Sequence, residues 1–173
     1  LFRGGSMAQR QRETMDKEDV DTATFYSISN CQRGLAGVSF GNFLIKQVVE
    51  EVSRENPKLK TFVTLSPVPG FAAWLKRERS SGSSRALTQD DLEALANLDI
   101  EGWWQVPETR DPVQEPLMRA AAWYFLYARN ARGFPADPVA RFHLGNGARL
   151  ERMHFLADVS ENGIGQAHGI MVN

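Results

Sequence analysis

Residues 23–70 limit what this chain can become more than any other stretch: ATFYSISNCQRGLAGVSFGNFLIKQVVEEVSRENPKLKTFVTLSPVPG. They read as a strand, a glycine-rich turn, an amphipathic helix, a second strand and a serine at a sharp exit. Residues 24–28 are β-branched and aromatic, which suits a buried strand. Gly34, Gly37 and Gly41 then punctuate a loop where the backbone turns tightly or approaches something closely. From Phe43 onward, Leu44, Ile45, Val48, Val49 and Val52 fall at helical spacing on one face, with Lys46, Gln47, Glu50 and Glu51 between them. Pro57 stops that helix. Residues 61–65 form the second strand, and Ser66-Pro67-Val68-Pro69-Gly70 ends it.

A strand–loop–helix unit aims free backbone N–H groups, and the positive end of the helix dipole, at whatever occupies the loop. Phosphate is the usual occupant. The loop lacks GxxxxGK[ST], so it is not a P-loop, and no GxGxxG opens the helix, which disfavours a Rossmann site. An ordinary βαβ unit whose glycines only turn the chain fits the same residues.

The rest of the chain completes one domain. Its 173 residues suffice for a core, and 42% apolar with 24% charged residues is a globular composition. A net charge of −1 gives no sign of nucleic-acid binding. The single cysteine, Cys31, excludes an internal disulfide. No apolar run reaches the length of a membrane-spanning helix, and no secretory signal is recognisable. Residues 1–22 are polar and charged and read as a mobile entry segment; residues 23–173 read as the folded domain.

After Gly70, FAAWLKRER predicts a short helix with Phe71, Trp74 and Leu75 inward. Residues 80–84, SSGSS, read as a flexible link. Thr88 and Asp91 are spaced as a capping box for a helix carrying Leu92, Leu95 and Leu98. Residues 101–111 read as an ordered loop in which Trp103 and Trp104 pack or line a groove. Pro116 is expected to open a long helix with Met118, Ala121, Ala122, Phe125 and Leu126 buried, ended by Gly133. Asp137-Pro138 caps and begins another helical turn, which carries Phe142 and His143 into the turn Gly145-Asn146-Gly147. Residues 148–157 are expected to form a strand. Alternating helices and strands make the class α/β or α+β.

Three blocks together resemble a known family. FYSISNCQRGLAGVSFGNFLIKQVVEE, TLSPVPGFAAWL and ARFHLGNGARL, in that order and spacing, are similar to the catalytic domain of malonyl-CoA decarboxylases, and ADVSENGIGQAHGIMVN looks like that family's C-terminal region. The resemblance implies the fold of the GCN5-related N-acetyltransferases, a mixed sheet flanked by helices that binds coenzyme A in a strand-to-helix loop. It implies decarboxylation of malonyl-CoA to acetyl-CoA and carbon dioxide, with no metal or organic cofactor. The family's enzyme is longer, with a helical domain and further strands before this stretch and a tyrosine-containing segment after it. The chain is therefore expected to be truncated at both ends. The family forms homo-oligomers, in the bacterial cytoplasm or in mitochondria or peroxisomes.

Decarboxylation leaves an electron pair on the carbon alpha to the thioester. Catalysis needs the carboxylate held out of the thioester plane, donors for the enolate oxygen, and a proton for the alpha carbon. The thioester is itself the electron sink. By resemblance, Ser66 engages the malonyl carboxylate, as proton acceptor or hydrogen-bond anchor, and His143 donates the proton. Imidazole suits that role because it titrates near neutrality. The family's substrate-binding turn falls on Ala36, Gly37, Val38, Ser39, Phe40, Gly41 and Asn42. Animal members have glutamate where this chain has Ser39. Arg33, Lys58, Lys60 and Lys76 are further candidates for phosphate pairing, although surface lysines are commonly just solvated. His154 and His168 read as structural. A serine before proline also commonly just begins a turn, and a lone histidine is commonly a structural hydrogen-bonder. Two other functions share these features. An acetyltransferase would need an amine-acceptor site, and a non-catalytic acyl-CoA-binding module would hold Ser66 and His143 apart.

Overall fold

The apolar, β-branched run TFVTLSP forms the hub of the sheet in the computed structural model, which describes residues 20–26 and 41–173. Strand β1 (Thr22–Tyr26) pairs in parallel with β2 (Thr61–Pro67), from Thr22 opposite Thr61 to Tyr26 opposite Leu65. Between them runs helix α1 (Gly41–Glu55), as a parallel pair requires a crossover. Asn56 N–H bonds the Val52 carbonyl at its end, and Pro57 follows. At Ser66 strand β2 changes partner. Ser66 and Pro67 lie opposite Val172 and Met171 of β4 (Met171–Val172), antiparallel, and β4 in turn pairs with β3 (Met153–His154). The order β1-β2-β4-β3 makes a mixed four-stranded sheet, in keeping with the α/β expectation.

The core lies among the helices that follow β2. Helix α2 (Phe71–Ser80) buries Phe71, Ala72, Trp74 and Leu75, the inward face read from the sequence. Helix α3 (Gln89–Leu95) starts on the expected capping box: the Thr88 side chain accepts from Asp91 N–H, and the Asp91 carboxylate accepts from Thr88 N–H at 2.9 Å. A 3-10 turn, Ala96–Asp99, extends it. Helix α4 (Pro107–Tyr127) packs against α3, α5 (Pro138–Gly145) follows, and α6 (Glu161–Ala167) lies on α2. Phe71, Leu75, Leu95, Leu117, Val68 and Ile170 are fully enclosed.

Four expectations need correction. Helix α4 begins at Pro107, so Pro112 and Pro116 lie inside it. Each removes a donor and an i→i−4 bond. Burial of Val113, Pro116, Leu117, Ala120, Ala121, Tyr124 and Phe125 along one stripe outweighs that loss. Leu126, expected inward, is 58% exposed, because the stripe runs through Tyr124 instead. Gly133 does not end α4, whose last residue is Tyr127; it takes φ +79° in the turn closed by the Arg129–Pro135 bridge. The strand expected over 148–157 shrinks to two residues. Its partner β4 is only that long, and Leu156 takes a left-handed conformation (φ 48°) that ends extended pairing. The serine-rich link is tied back to α2, Ser84 Oγ donating to Glu78 Oε2 at 2.6 Å.

Candidate active site

Ser66 owes its position to the change of strand partner. The last residues of β2 leave β1 for β4, Pro67 and Pro69 stiffen the exit, and Phe71 N–H closes the turn on the Val68 carbonyl at 3.0 Å. The side chain is buried, with the residue only 6% exposed.

His143 reaches the same point from the other side. Asp137 caps α5 by accepting from Val139 N–H and Ala140 N–H, both at 2.9 Å, and Pro138 supplies the first helical residue without a donor to satisfy. Six residues on, in the last turn, His143 Nε2 lies 3.3 Å from Ser66 Oγ. The residues are 77 apart in sequence. Gly147 takes φ +85°, and Ala148 N–H returns to the His143 carbonyl at 3.0 Å, so the helix stops directly after the imidazole. The Phe142 ring stands edge-on to it, centroids 5.1 Å apart.

Two cavities share His143 as a wall. One, about 40 Å³, is lined by Ser66 and His143 with Thr64, Leu150, Arg149 and Asn173. The other, about 170 Å³, lies between α1 and the sheet, walled by Phe25, Phe62, Ile45, Val49, Phe142 and His143. A larger and a smaller chamber, both mainly apolar, thus adjoin the imidazole, and Ser66 and Thr64 bring hydroxyls to the smaller one, which suits a ligand with an apolar arm and a polar reacting end. Burial pushes the His143 pKa below its ordinary 6.5, so the unliganded imidazole is neutral at pH 7. Its place at a helix C-terminus favours the protonated form, and an added anion would do so further.

Of the predicted loop, Ala36, Gly37, Val38, Ser39 and Phe40 lie outside the described residues, as do Arg33 and residues 1–19. Gly41 and Asn42 begin α1. Lys60 and Lys76 are exposed and do not line either cavity. Trp103 is buried against Trp104, Phe155 and His168, a packing role. His154 Nε2 lies 3.0 Å from Asn173 Oδ1. No three His, Cys, Asp or Glu side chains converge as a metal site among the described residues, and no helix there is long and apolar enough to cross a membrane. Among the cavity residues that sequence reasoning missed are Thr64, Arg149 and Asn173. Thr64 carries a signal, lying two residues before Ser66 and so on the same face of β2. Arg149 and Asn173 carry none, because their place depends on the fold of the last 25 or so residues onto β2.

Comparison with known proteins places the chain in a family. The family model described as the malonyl-CoA decarboxylase C-terminal domain matches residues 4–173. Crystal structures of malonyl-CoA decarboxylase from Rhodopseudomonas palustris and from Agrobacterium vitis are similar to this chain. The first is 56% identical with a TM-score of 0.86, over 95% of this chain and 38% of that one. The second is 52% identical with a TM-score of 0.87, over 94% and 40%. The mitochondrial malonyl-CoA decarboxylase of the goose Anser anser anser is 37% identical over 179 aligned residues, 93% of this chain and 35% of that protein. The chain therefore spans about a third of the length of the curated relatives it matches. It belongs to the malonyl-CoA decarboxylase family, as that family's C-terminal domain.

Proposed function

We propose that this chain, within a longer enzyme, decarboxylates malonyl-CoA to acetyl-CoA and carbon dioxide. The observation that carries the reading is the approach of Ser66 Oγ and His143 Nε2 to 3.3 Å at the wall that the two cavities share. A non-catalytic binding module has no need of that approach.

In this reading the thioester arm lies in the larger chamber and the malonyl carboxylate in the smaller one, against Ser66. Ser66 O–H donates to the carboxylate and fixes it out of the thioester plane, so that the breaking bond overlaps the carbonyl. The negative charge of the bound substrate raises the His143 pKa, and the imidazole takes up a proton. The carbon–carbon bond then breaks and carbon dioxide leaves. The electron pair passes into the thioester enolate, the alpha carbon takes the proton from His143, and neutral imidazole remains. The coenzyme A pyrophosphate is assigned to the loop Ala36, Gly37, Val38, Ser39, Phe40, Gly41 and Asn42 ahead of α1, by the general affinity of such N-termini for phosphate. Identity above 50% to two bacterial structures favours the bacterial cytoplasm over an organelle.

Carbon dioxide release from malonyl-CoA by the full-length protein tests the reading. His143→Ala is expected to lower kcat by about 10²–10⁴-fold while the protein still binds malonyl-CoA. Binding without release in the unaltered protein would overturn the proposal in favour of an acyl-CoA-binding role. Acetyl transfer to an amine without carbon dioxide release would favour the acetyltransferase.

A further inference from the structure

The carboxylate of Asp137 does more than a helix cap requires. Two other helices in this chain are capped by hydroxyls, α3 by Thr88 and α6 by Ser160. A hydroxyl leaves no buried charge behind. Asp137 is 1% exposed, and among the described residues no lysine or arginine forms an ion pair with it. The nearby Arg141 guanidinium is engaged by the Pro135 and Ala136 carbonyls. Burying an unpaired carboxylate is costly unless each oxygen is used.

Both oxygens are used, and by different parts of the molecule. Oδ1 accepts the two cap bonds of α5. Oδ2 accepts from Gly70 N–H at 3.5 Å, in the turn that leaves Ser66. The Tyr124 hydroxyl, from α4, adjoins the same carboxylate at this junction. The junction is tight: a Cβ at Gly70 would lie 2.5 Å from the Tyr124 oxygen and 3.6 Å from Asp137 Oδ2, so only glycine fits there. Two hydrogen bonds therefore join the 66–70 segment to α5 among the described residues. One is the Ser66–His143 contact, and the other is Gly70–Asp137. The segments between these corners are stiff. One is held by Pro67 and Pro69, and the other is six residues of helix, about 9 Å long.

We propose that Asp137 is a positioning residue, whose carboxylate, beside Tyr124, clamps the Gly70 turn to the start of α5 and thereby sets the distance between Ser66 and His143. Its catalytic consequence rests on the decarboxylase reading above; its geometric consequence does not. A frame pinned at one corner holds the opposite corner, and a displacement there of about 1 Å is worth roughly 100-fold in rate.

The test uses the full-length protein with Asp137→Ser, which keeps one cap acceptor, and Tyr124→Phe, which removes only the tyrosine hydroxyl. Two readouts are taken, steady-state kinetics with malonyl-CoA and the imidazole ring-carbon NMR resonances of His143. Asp137→Ser is expected to lower kcat by about 10–100-fold with KM within about threefold, and Tyr124→Phe to lower it less. Both are expected to shift the His143 resonances, and Asp137→Ser added to His143→Ala should cost no further activity. A purely structural role would lower the folded fraction in either background and leave the resonances of the folded protein in place. Unmoved resonances, or a kcat within twofold of the parent, would overturn the proposal. Shifted resonances in a protein that releases no carbon dioxide would uphold the clamp and refute the decarboxylase reading alone. If Asp137→Ser does not fold, Tyr124→Phe decides by the same two readouts.

Discussion

Burial acts on two histidines in the same direction with different consequences. His143 stands beside Ser66 at a cavity wall, and its lowered pKa belongs to the free protein. An anionic substrate reverses the shift, so the pH limbs of the two kinetic constants separate. As the pH rises, kcat/KM should fall through the pKa of free His143, below 6.5, and kcat should hold to a higher pH, where bound His143 titrates. Coincident limbs in a pH–rate study would show that the substrate does not charge the imidazole. Among the described residues His168 has no such partner. It caps α6 in the left-handed region (φ 49°), its ring edge-on to Phe71 and Trp103. Burial, with the Arg79 charge adding and Asp99 opposing, pushes its pKa to about 4. The folded state thus prefers the neutral ring. The stability this gives is complete above the unfolded value near 6.5 and is lost as the pH falls toward 4, up to about 3 kcal/mol. Urea unfolding at pH 7 and pH 4.5 should show this loss, and His168→Asn, which tolerates the left-handed backbone, should remove most of it. An equal loss in the variant would place the acid sensitivity elsewhere. Nothing in the sequence around His168 hinted at this, because its burial comes from α2 and the tryptophan turn, which are distant in the chain.

Elements were legible where a local rule and the core agreed. The capping box at Thr88 and Asp91, the Asp137-Pro138 start of α5 and the inward face of α2 all appear as read, since each depends on residues within one or two turns. Helix α4 starts earlier than expected because Pro116 fits the first helical position as well as the interior it occupies here. There, packing of a buried stripe overrides two missing hydrogen bonds. Pro112 is exposed, so it bears that cost without packing in return. Pro112→Ala should raise stability by about 1–2 kcal/mol, less than the full interior penalty because proline also restricts the unfolded chain. A lower melting temperature for the variant would show that the proline shapes the helix usefully. Thr88→Ala should act in the opposite direction, by about 1 kcal/mol. It strands Asp91, whose burial is compensated by hydrogen bonds from Thr88 and Arg119.

At the scale of the whole molecule, the fold converts a long sequence separation into a single contact. The βαβ entry and the serine exit could be read from residues 23–70, and the helix bearing His143 from its cap. Their meeting could not be read from periodicity, because it requires β2 to trade β1 for β4, and β4 is two residues long. The resemblance to malonyl-CoA decarboxylases named both residues, and the structure sets them 3.3 Å apart. If Ser66 and His143 act as one unit on malonyl-CoA, their losses cannot multiply. The decisive measurement is kcat for carbon dioxide release by the full-length protein, its Ser66→Ala and His143→Ala variants, and the double variant. The account predicts that each single variant loses at least about 100-fold and that the double variant is within a few-fold of the worse single one. Losses that multiply, or a single variant that keeps its rate, would contradict it.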